Sequence, residues 1–192
     1  MDLVSVTVVS CLYGQSHDGF LQDWLTALRA LDPPPERIIL AADRPLFMGE
    51  LFVVTRRNHD WEWPQAFYLN LALSEVETEW TWIHDIDDIA FPFALEDIEG
   101  RDEDVIQFGY VRSDGVTHLP AADSPLNQYV SGSCIRTAAL HHLGGFRDVE
   151  HQDTDLWQRL LDAGAVFAPA DRPRFYYRRH PQARTEREKA AA

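Results

Sequence analysis

The sequence is short of several things that would each have announced a function. It holds two cysteines, Cys11 and Cys134, in 192 residues. Neither belongs to a C-x-x-C pair. Both are read as buried free thiols, which fits a reducing compartment, with a Cys11–Cys134 disulfide left open. Basic residues are also scarce, 17 Lys and Arg against 31 Asp and Glu, for a net charge of -14. A chain this acidic should repel nucleic acid, because gripping phosphate needs cations. Anionic membrane is an equally poor partner. No apolar run approaches the ~20 residues of a membrane span. The opening MDLVSVTVVSCLYG has no basic segment ahead of its short, strand-like apolar run, so the expected location is cytoplasmic. The chain has no GxxxxGK[ST] or GxGxxG glycine loop. It also lacks a GxSxG elbow and an HExxH pair. The ATPase, dinucleotide and serine hydrolase readings therefore have no support.

Aromatic residues are plentiful, six Trp among them, which excludes a disordered chain. The length suits one domain with its own core. Residues 1–181 are expected to form that domain and 182–192 a frayed polar tail. Val4 to Ser10 reads as a buried strand and Gly14 to Gly19 as a loop. Phe20 to Leu31 carries apolar residues at helical spacing, stopped by Asp32-Pro33-Pro34-Pro35. Arg37 to Ala42 and Leu51 to Thr55 are further strands. A helix follows from Pro64 to about Glu77, then a strand from Trp80 to His84. Val105 to Val111 and Tyr129 to Ile135 read as strands, with a hairpin turn at Ser113-Asp114-Gly115 between them. Helices are expected at Thr137 to Leu143, closed by Gly144-Gly145, and at Asp153 to Ala163, closed by Gly164. Ala165 to Ala168 and Phe175 to Arg178 close the series as two late strands. Alternating strand and helix in the first half predicts a parallel sheet with crossover helices, and the second half is more mixed.

Three constellations carry chemistry. Asp85, Asp87 and Asp88 follow directly on the apolar strand WTWIH. Ligands of open α/β sheets bind at such strand ends. Neighbouring carboxylates repel, and a hard divalent cation, Mg²⁺ or Mn²⁺, is the usual remedy. That ion would offset charge growing on a departing diphosphate. The alternative is a plain acidic loop that caps a helix. Next, Asp153 heads a helix after Gly144-Gly145-Phe146-Arg147-Asp148. It is either an N-cap or a general base for an acceptor hydroxyl. Last, His180 follows Arg178-Arg179. The imidazole can complete a Mn²⁺ shell, and the arginines can meet diphosphate or simply face solvent. Trp61 and Trp63 are open to sugar stacking, although packing is the commoner use of such a pair.

In this order the motifs resemble the family 2 glycosyltransferases of GT-A fold, over roughly Val4 to His180. The opening VSVTVVSCLYG is similar to the family's "VSVVIPTYN". RIILAAD ends in Asp43, where the family has an Asp that contacts the base. Ala66 and Asn70 resemble an A-x-x-x-N element. IHDIDDIAFP resembles "LDADD…P", and GSCIRTAALHHLGGFRDVEHQDTDLWQRL resembles "G-S…R…L…GGFDE…ED-x-DL-x-x-R". The resemblance implies an α/β fold with a mixed, mostly parallel sheet flanked by helices. It implies a metal-dependent inverting transfer of a sugar from a nucleotide diphosphate-sugar, UDP-sugars favoured, to a saccharide or other hydroxyl acceptor. Ser10, Cys11, Tyr13, Asp43 and Asp87 would then line the nucleotide. Asp87, Asp88 and His180 would hold Mn²⁺ or Mg²⁺, and Asp153 would be the base. Gln152, Trp157 and Gly132 would lie at the sugar or acceptor.

The sequence departs from this pattern in places. Gln152 replaces the Glu of the Glu-Asp pair. AADRP replaces "DDGS", which leaves the diphosphate contacts open. No Q-x-x-R-W element is present, which argues against a processive synthase. The chain is short for the family, so a small acceptor region, a partner or a second subunit is implied. Other classes remain in view. A degenerate nucleotide-sugar-binding module would bind without turnover. A nucleotidyltransferase would also use Asp pairs with Mg²⁺. An HD-type phosphohydrolase would need His84-Asp85 on a helix.

Overall fold

The structure is a computed structural model that describes residues 4–14, 17–46, 49, 51–57, 59–121 and 132–181. Nine strands form one sheet: β1 Val4–Leu12, β2 Pro35–Ala42, β3 Phe52–Thr55, β4 Trp80–Ile83, β5 Ile89–Ala90, β6 Val105–Arg112, β7 Thr117–His118, β8 Ser133–Arg136 and β9 Phe167–Tyr177. Four helices flank it: α1 Leu21–Arg29, α2 Pro64–Leu73, α3 Thr137–His142 and α4 Gln152–Asp162. The strand order is β3-β2-β1-β4-β8-β6-β9-β5, with β7 paired to β6. β3, β2, β1 and β4 run parallel; β8 inserts antiparallel between β4 and β6; and β9 returns parallel to β6. The result is the expected mixed α/β sheet, whose longest registers, β1 on β2 and β6 on β9, are parallel.

Side-chain alternation on β1 explains the layering. Val4, Val6, Val8 and Leu12 point to the face covered by Leu21, Trp24, Leu25 and Leu28 of α1. Val9 points to the other face, with Ile39, Ala41 and Ile83, under α2, α3 and α4. Alternate residues of a strand lie on opposite faces, so an uninterrupted apolar run serves both layers. The buried threonines of this sheet are paired: Thr78 Oγ1 donates to Thr7 Oγ1 at 2.7 Å, and the Thr81 and Thr137 hydroxyls are 2.8 Å apart.

Two expectations change. The late strands are the two ends of one strand, β9, whose register on β6 shifts between Gln107 and Tyr110. Ala170, Asp171 and Arg172 have no partner residue on β6, so this stretch read as a break. The Ser113-Asp114-Gly115 turn is a hairpin, with Gly115 at φ 84°, but it joins β6 to the short β7. Of the expected strand Tyr129 to Ile135, the first three positions lie outside the described residues, as does the tail from 182. No helix among the described residues is long and apolar enough to cross a membrane.

Candidate active site

Because β1, β2, β4, β6 and β9 run the same way, their carboxyl ends share one edge. That edge receives Ser10 and Cys11 from β1, Asp43 after β2, Asp85 to Asp88 after β4, and Arg178 to His180 after β9. His180 and Asp87 are separated by 93 positions, yet His180 Nε2 lies 2.8 Å from Asp87 Oδ2. His17 Nε2 approaches the same oxygen at 4.0 Å. One donor atom from each of His17, Asp87 and His180 lies within 4.8 Å of the others. The expected metal set therefore shares Asp87 and His180 with this group, and Asp88 stands outside it. In the sequence His17 falls within the loop expected over Gly14 to Gly19. The residues QSHDG give no signal for it in the sequence, because its partners are distant along the chain.

Asp88 is fully buried. Its Oδ1 accepts the Arg178 backbone N–H at 3.1 Å. Its Oδ2 is enclosed with no hydrogen-bond partner among the described residues. Burial, and then the charges of Asp87 and Asp85, push this carboxyl well above the usual carboxylate range, against the opposing pull of Arg178. His84 is likewise buried, stacked 4.4 Å from Trp82, with neither ring nitrogen partnered. Burial, reinforced by the Arg178 charge, lowers it to about 3, so it is neutral at ordinary pH. Ser10 is 2% exposed and its hydroxyl is also unpartnered. Arg178 is a strut. Its Nε donates to the Asp87 carbonyl, its Nη1 reaches Asp23 Oδ2 at 3.0 Å, and its guanidinium lies 4.7 Å over the Phe20 ring. Its Nε and Nη1 are committed to these contacts, and its Nη2, with no hydrogen-bond partner among the described residues, is what it keeps for the expected diphosphate. A divalent cation fits this corner. Three carboxylates crowd together, one presents an orphaned oxygen, and two imidazoles approach the half-buried Asp87 oxygen.

Asp43 sits one residue beyond β2. Its Oδ2 accepts the Gly14 N–H at 2.8 Å, and Arg44 binds its Oδ1. Arg44 also donates to the Gly14 carbonyl at 2.7 Å and pairs with Asp18. This clasp holds the loop that carries His17 against β2. Each carboxylate oxygen accepts more than one hydrogen bond, so Asp43 keeps capacity for a base. Tyr13 stacks 5.7 Å from Tyr68, nearly parallel at 9°. The two cysteines are free thiols; Cys134 is buried and Cys11 is half-buried. Burial, and then the charges of Asp85, Asp87 and Asp153, hold the Cys11 thiol well above its ordinary range.

Asp153 lies in the first turn of α4, but the N-cap position is His151. It is half-buried. The rest of its motif is scaffolding. Asn70 Nδ2 donates to the Phe146 carbonyl, and Phe146 N–H donates back to Asn70 Oδ1, both at 2.8 Å. Gly145 has φ 71°, and a Cβ there would lie 2.2 Å from Asn70 Oδ1. Asp148 accepts the backbone N–H groups of Glu62 and Trp63 at 3.0 and 2.8 Å, which fixes the segment that leads into α2. Arg159 donates to the carbonyls of Leu143 and Gly145 and to Asp155. Trp61 packs edge-on to Phe67 at 6.0 Å.

The three residues expected at the sugar or acceptor, Gln152, Trp157 and Gly132, are all buried. Gln152 is 3% exposed and donates to Gln65 Oε1 at 2.7 Å, tying α4 to α2. Trp157 has no exposure and packs on Phe167 in the core, so it has no face to offer a sugar. Gly132 is buried, and a Cβ there would meet Phe175 at 3.2 Å.

Comparison with protein-family models and with curated proteins finds no match. Solved structures do match. Residues 1–349 of S. aureus TarS superpose with TM-score 0.73 at 17% identity, over 90% of this chain and 60% of that one. The same fragment in complex with UDP-GlcNAc gives 0.70 at 17%, over 91% and 58%. The mannosyltransferase PcManGT from Pyrobaculum calidifontis, in complex with GDP-Man and Mn²⁺, gives 0.66 at 13%, over 98% and 60%. At these identities the likeness is one of fold, and the fold is GT-A. The chain spans about 60% of the length of these structures.

Proposed function

We propose that this chain is a metal-dependent glycosyltransferase of family 2 type. It would move a sugar from a nucleotide diphosphate-sugar, with UDP-sugars favoured, to an acceptor hydroxyl. The observation that carries the reading is the His180–Asp87 contact beside the orphaned, buried Asp88 oxygen, at the carboxyl edge of a GT-A sheet. Neighbours of this fold have been solved with UDP-GlcNAc, and with GDP-Man and Mn²⁺, which supports the same ligand class here.

The roles follow from position. Ser10, Cys11, Tyr13 and Asp43 would receive the nucleotide, and Asp87 and His180 would hold the cation. Asp88 would balance that charge from behind through its free oxygen. When bound, the cation supplies neutralisation of the departing diphosphate. Asp153 takes the proton of the acceptor hydroxyl as that oxygen attacks the anomeric carbon. The new C–O bond forms on the face opposite the breaking bond to diphosphate, so the anomeric centre inverts. Gln152 acts through α4: its bond to Gln65 fixes the turn that presents Asp153. The substitution of Gln for Glu therefore falls on a brace and leaves the base in place.

The test is a thermal-shift panel of UDP, GDP, CDP, ADP and dTDP with Mn²⁺ or EDTA. A ligand that binds only the folded state raises apparent stability with occupancy. The expected result is a Mn²⁺-dependent shift with one nucleotide, UDP first. No shift with any nucleotide would overturn the reading.

A further inference from the structure

We infer that His17 is a third protein ligand of the cation, so that the site is a two-histidine, one-carboxylate set which prefers Mn²⁺ and its later neighbours to Mg²⁺. The inference rests on the glycosyltransferase reading for its nucleotide and on the geometry of this corner for its metal.

The placement of His17 is built. It directly precedes a single turn of 3-10 helix, Asp18–Phe20, whose last residue packs beside both imidazoles. The Phe20 ring lies 4.6 Å from that of His180 and 6.1 Å from that of His17. The two imidazoles meet edge to face at 5.6 Å and 86°. Arg178 covers Phe20 while its own backbone holds Asp88. On the other side, the loop is tied down by Gly14 to Asp43 and by Arg44 to both Gly14 and Asp18. His17 is therefore held from two directions at the one corner where Asp87 Oδ2 and His180 Nε2 converge.

The spacing suits an ion. Ligand bonds of about 2.1 Å place neighbouring donors roughly 3–4 Å apart. The separations to Asp87 Oδ2 are 2.8 Å from His180 and 4.0 Å from His17. Side-chain exposures of 27%, 18% and 9% for His17, Asp87 and His180 leave the outer positions open to phosphate oxygens. Ligand chemistry then sets the choice of ion. Mg²⁺ and Ca²⁺ favour oxygen alone, whereas imidazole nitrogen favours transition metals. Two imidazoles with one carboxylate shift the site toward the second group. The clasp at Asp43 has a consequence too. A nucleotide base docked on Asp43 steadies the same loop that presents His17, so nucleotide and metal strengthen each other's binding.

The probe is Mn²⁺, titrated by the loss of its free electron-paramagnetic-resonance signal, with and without UDP, and in competition with Mg²⁺. Wild type, His17→Ala, His17→Gln, His180→Ala and His141→Ala are compared, the last as an exposed histidine remote from the site. The expected result is Mn²⁺ affinity lower by roughly 10- to 100-fold or more in both His17 variants, with the preference over Mg²⁺ diminished. His141→Ala should match wild type. Unchanged Mn²⁺ affinity and ion preference in both His17 variants, with affinity lost in His180→Ala, would overturn the inference and leave the glycosyltransferase reading intact. Mn²⁺ binding that depends on His17, without any nucleotide binding, would sustain the inference and sink that reading. Wild type that takes up no Mn²⁺, even with UDP, would overturn the inference outright.

Discussion

Two corners of the same sheet edge treat their polar groups in opposite ways. At the α4 corner nearly every motif side chain is satisfied inside the protein. Asn70 clamps Phe146, Asp148 holds the segment ahead of α2, Arg159 holds two carbonyls, and Gln152 binds Gln65. At the corner formed by the loops after β1, β4 and β9, buried polar atoms are left over: Asp88 Oδ2, both nitrogens of His84, Ser10 Oγ and Arg178 Nη2. A buried polar atom without a partner costs stability, about 1–3 kcal/mol and more for a charge. The comparison teaches where to look for ligand chemistry. Motif residues that complete one another form the scaffold, and those left incomplete face what the protein has yet to bind.

Substitutions can break or sharpen that contrast. The largest effect is expected for Asp153→Asn. Transfer should fall about 10³-fold or more in kcat, and the Mn²⁺-dependent nucleotide shift should stay at its wild-type size. Activity at the wild-type level would remove Asp153 from the base position. Second is Gly145→Ala, at the heart of the scaffold. The left-handed backbone and the 2.2 Å approach to Asn70 predict a loss of roughly 2–5 kcal/mol, read as a clear drop in Tm.

Asp88→Asn should act with the opposite sign. Removing a buried, crowded charge should stabilise the metal-free protein by about 1 kcal/mol or more, and weaken Mn²⁺-dependent nucleotide binding at the same time. A Tm in EDTA that falls would mean that Asp88 is already compensated in the free protein.

The smallest effect concerns acid. His84 is held neutral, at about 3 in the fold against an ordinary 6.5. The unfolded chain takes up that proton first, so stability from His84 is complete above pH 6.5 and is lost as pH falls toward 3. His84→Phe keeps the ring against Trp82 and has no proton to accept. Its Tm should stay within a few degrees of wild type at pH 7, and its decline between pH 6.5 and 4 should be shallower. Parallel declines would show that other groups carry the acid response.

Much of this was legible beforehand. The apolar runs Val4 to Ser10, Arg37 to Ala42 and Trp80 to His84 lie close to β1, β2 and β4, because fully buried strands must be apolar on both faces. The helix over Phe20 to Leu31 was equally plain, since α1 buries one stripe: Leu21, Trp24, Leu25 and Leu28. The short β5 and β7 went unseen, because two residues carry no periodicity. The same limit applied to the site. Asp87 and His180 were named from their motifs, whereas His17 was passed over, and Trp157 was assigned a surface that it lacks.

The sequence by itself determined the order of strands and helices and the carboxylates that follow the fourth strand. It also determined the shortage of cationic and glycine-loop chemistry that excludes other classes. Local periodicity and residue chemistry suffice for these. Only the tertiary structure decided which polar groups satisfy one another and which are left over, and which histidine joins Asp87 and His180. Those answers depend on contacts between residues as far apart as Asp87 and His180, 93 positions along the chain, and such contacts exist only once the sheet has closed.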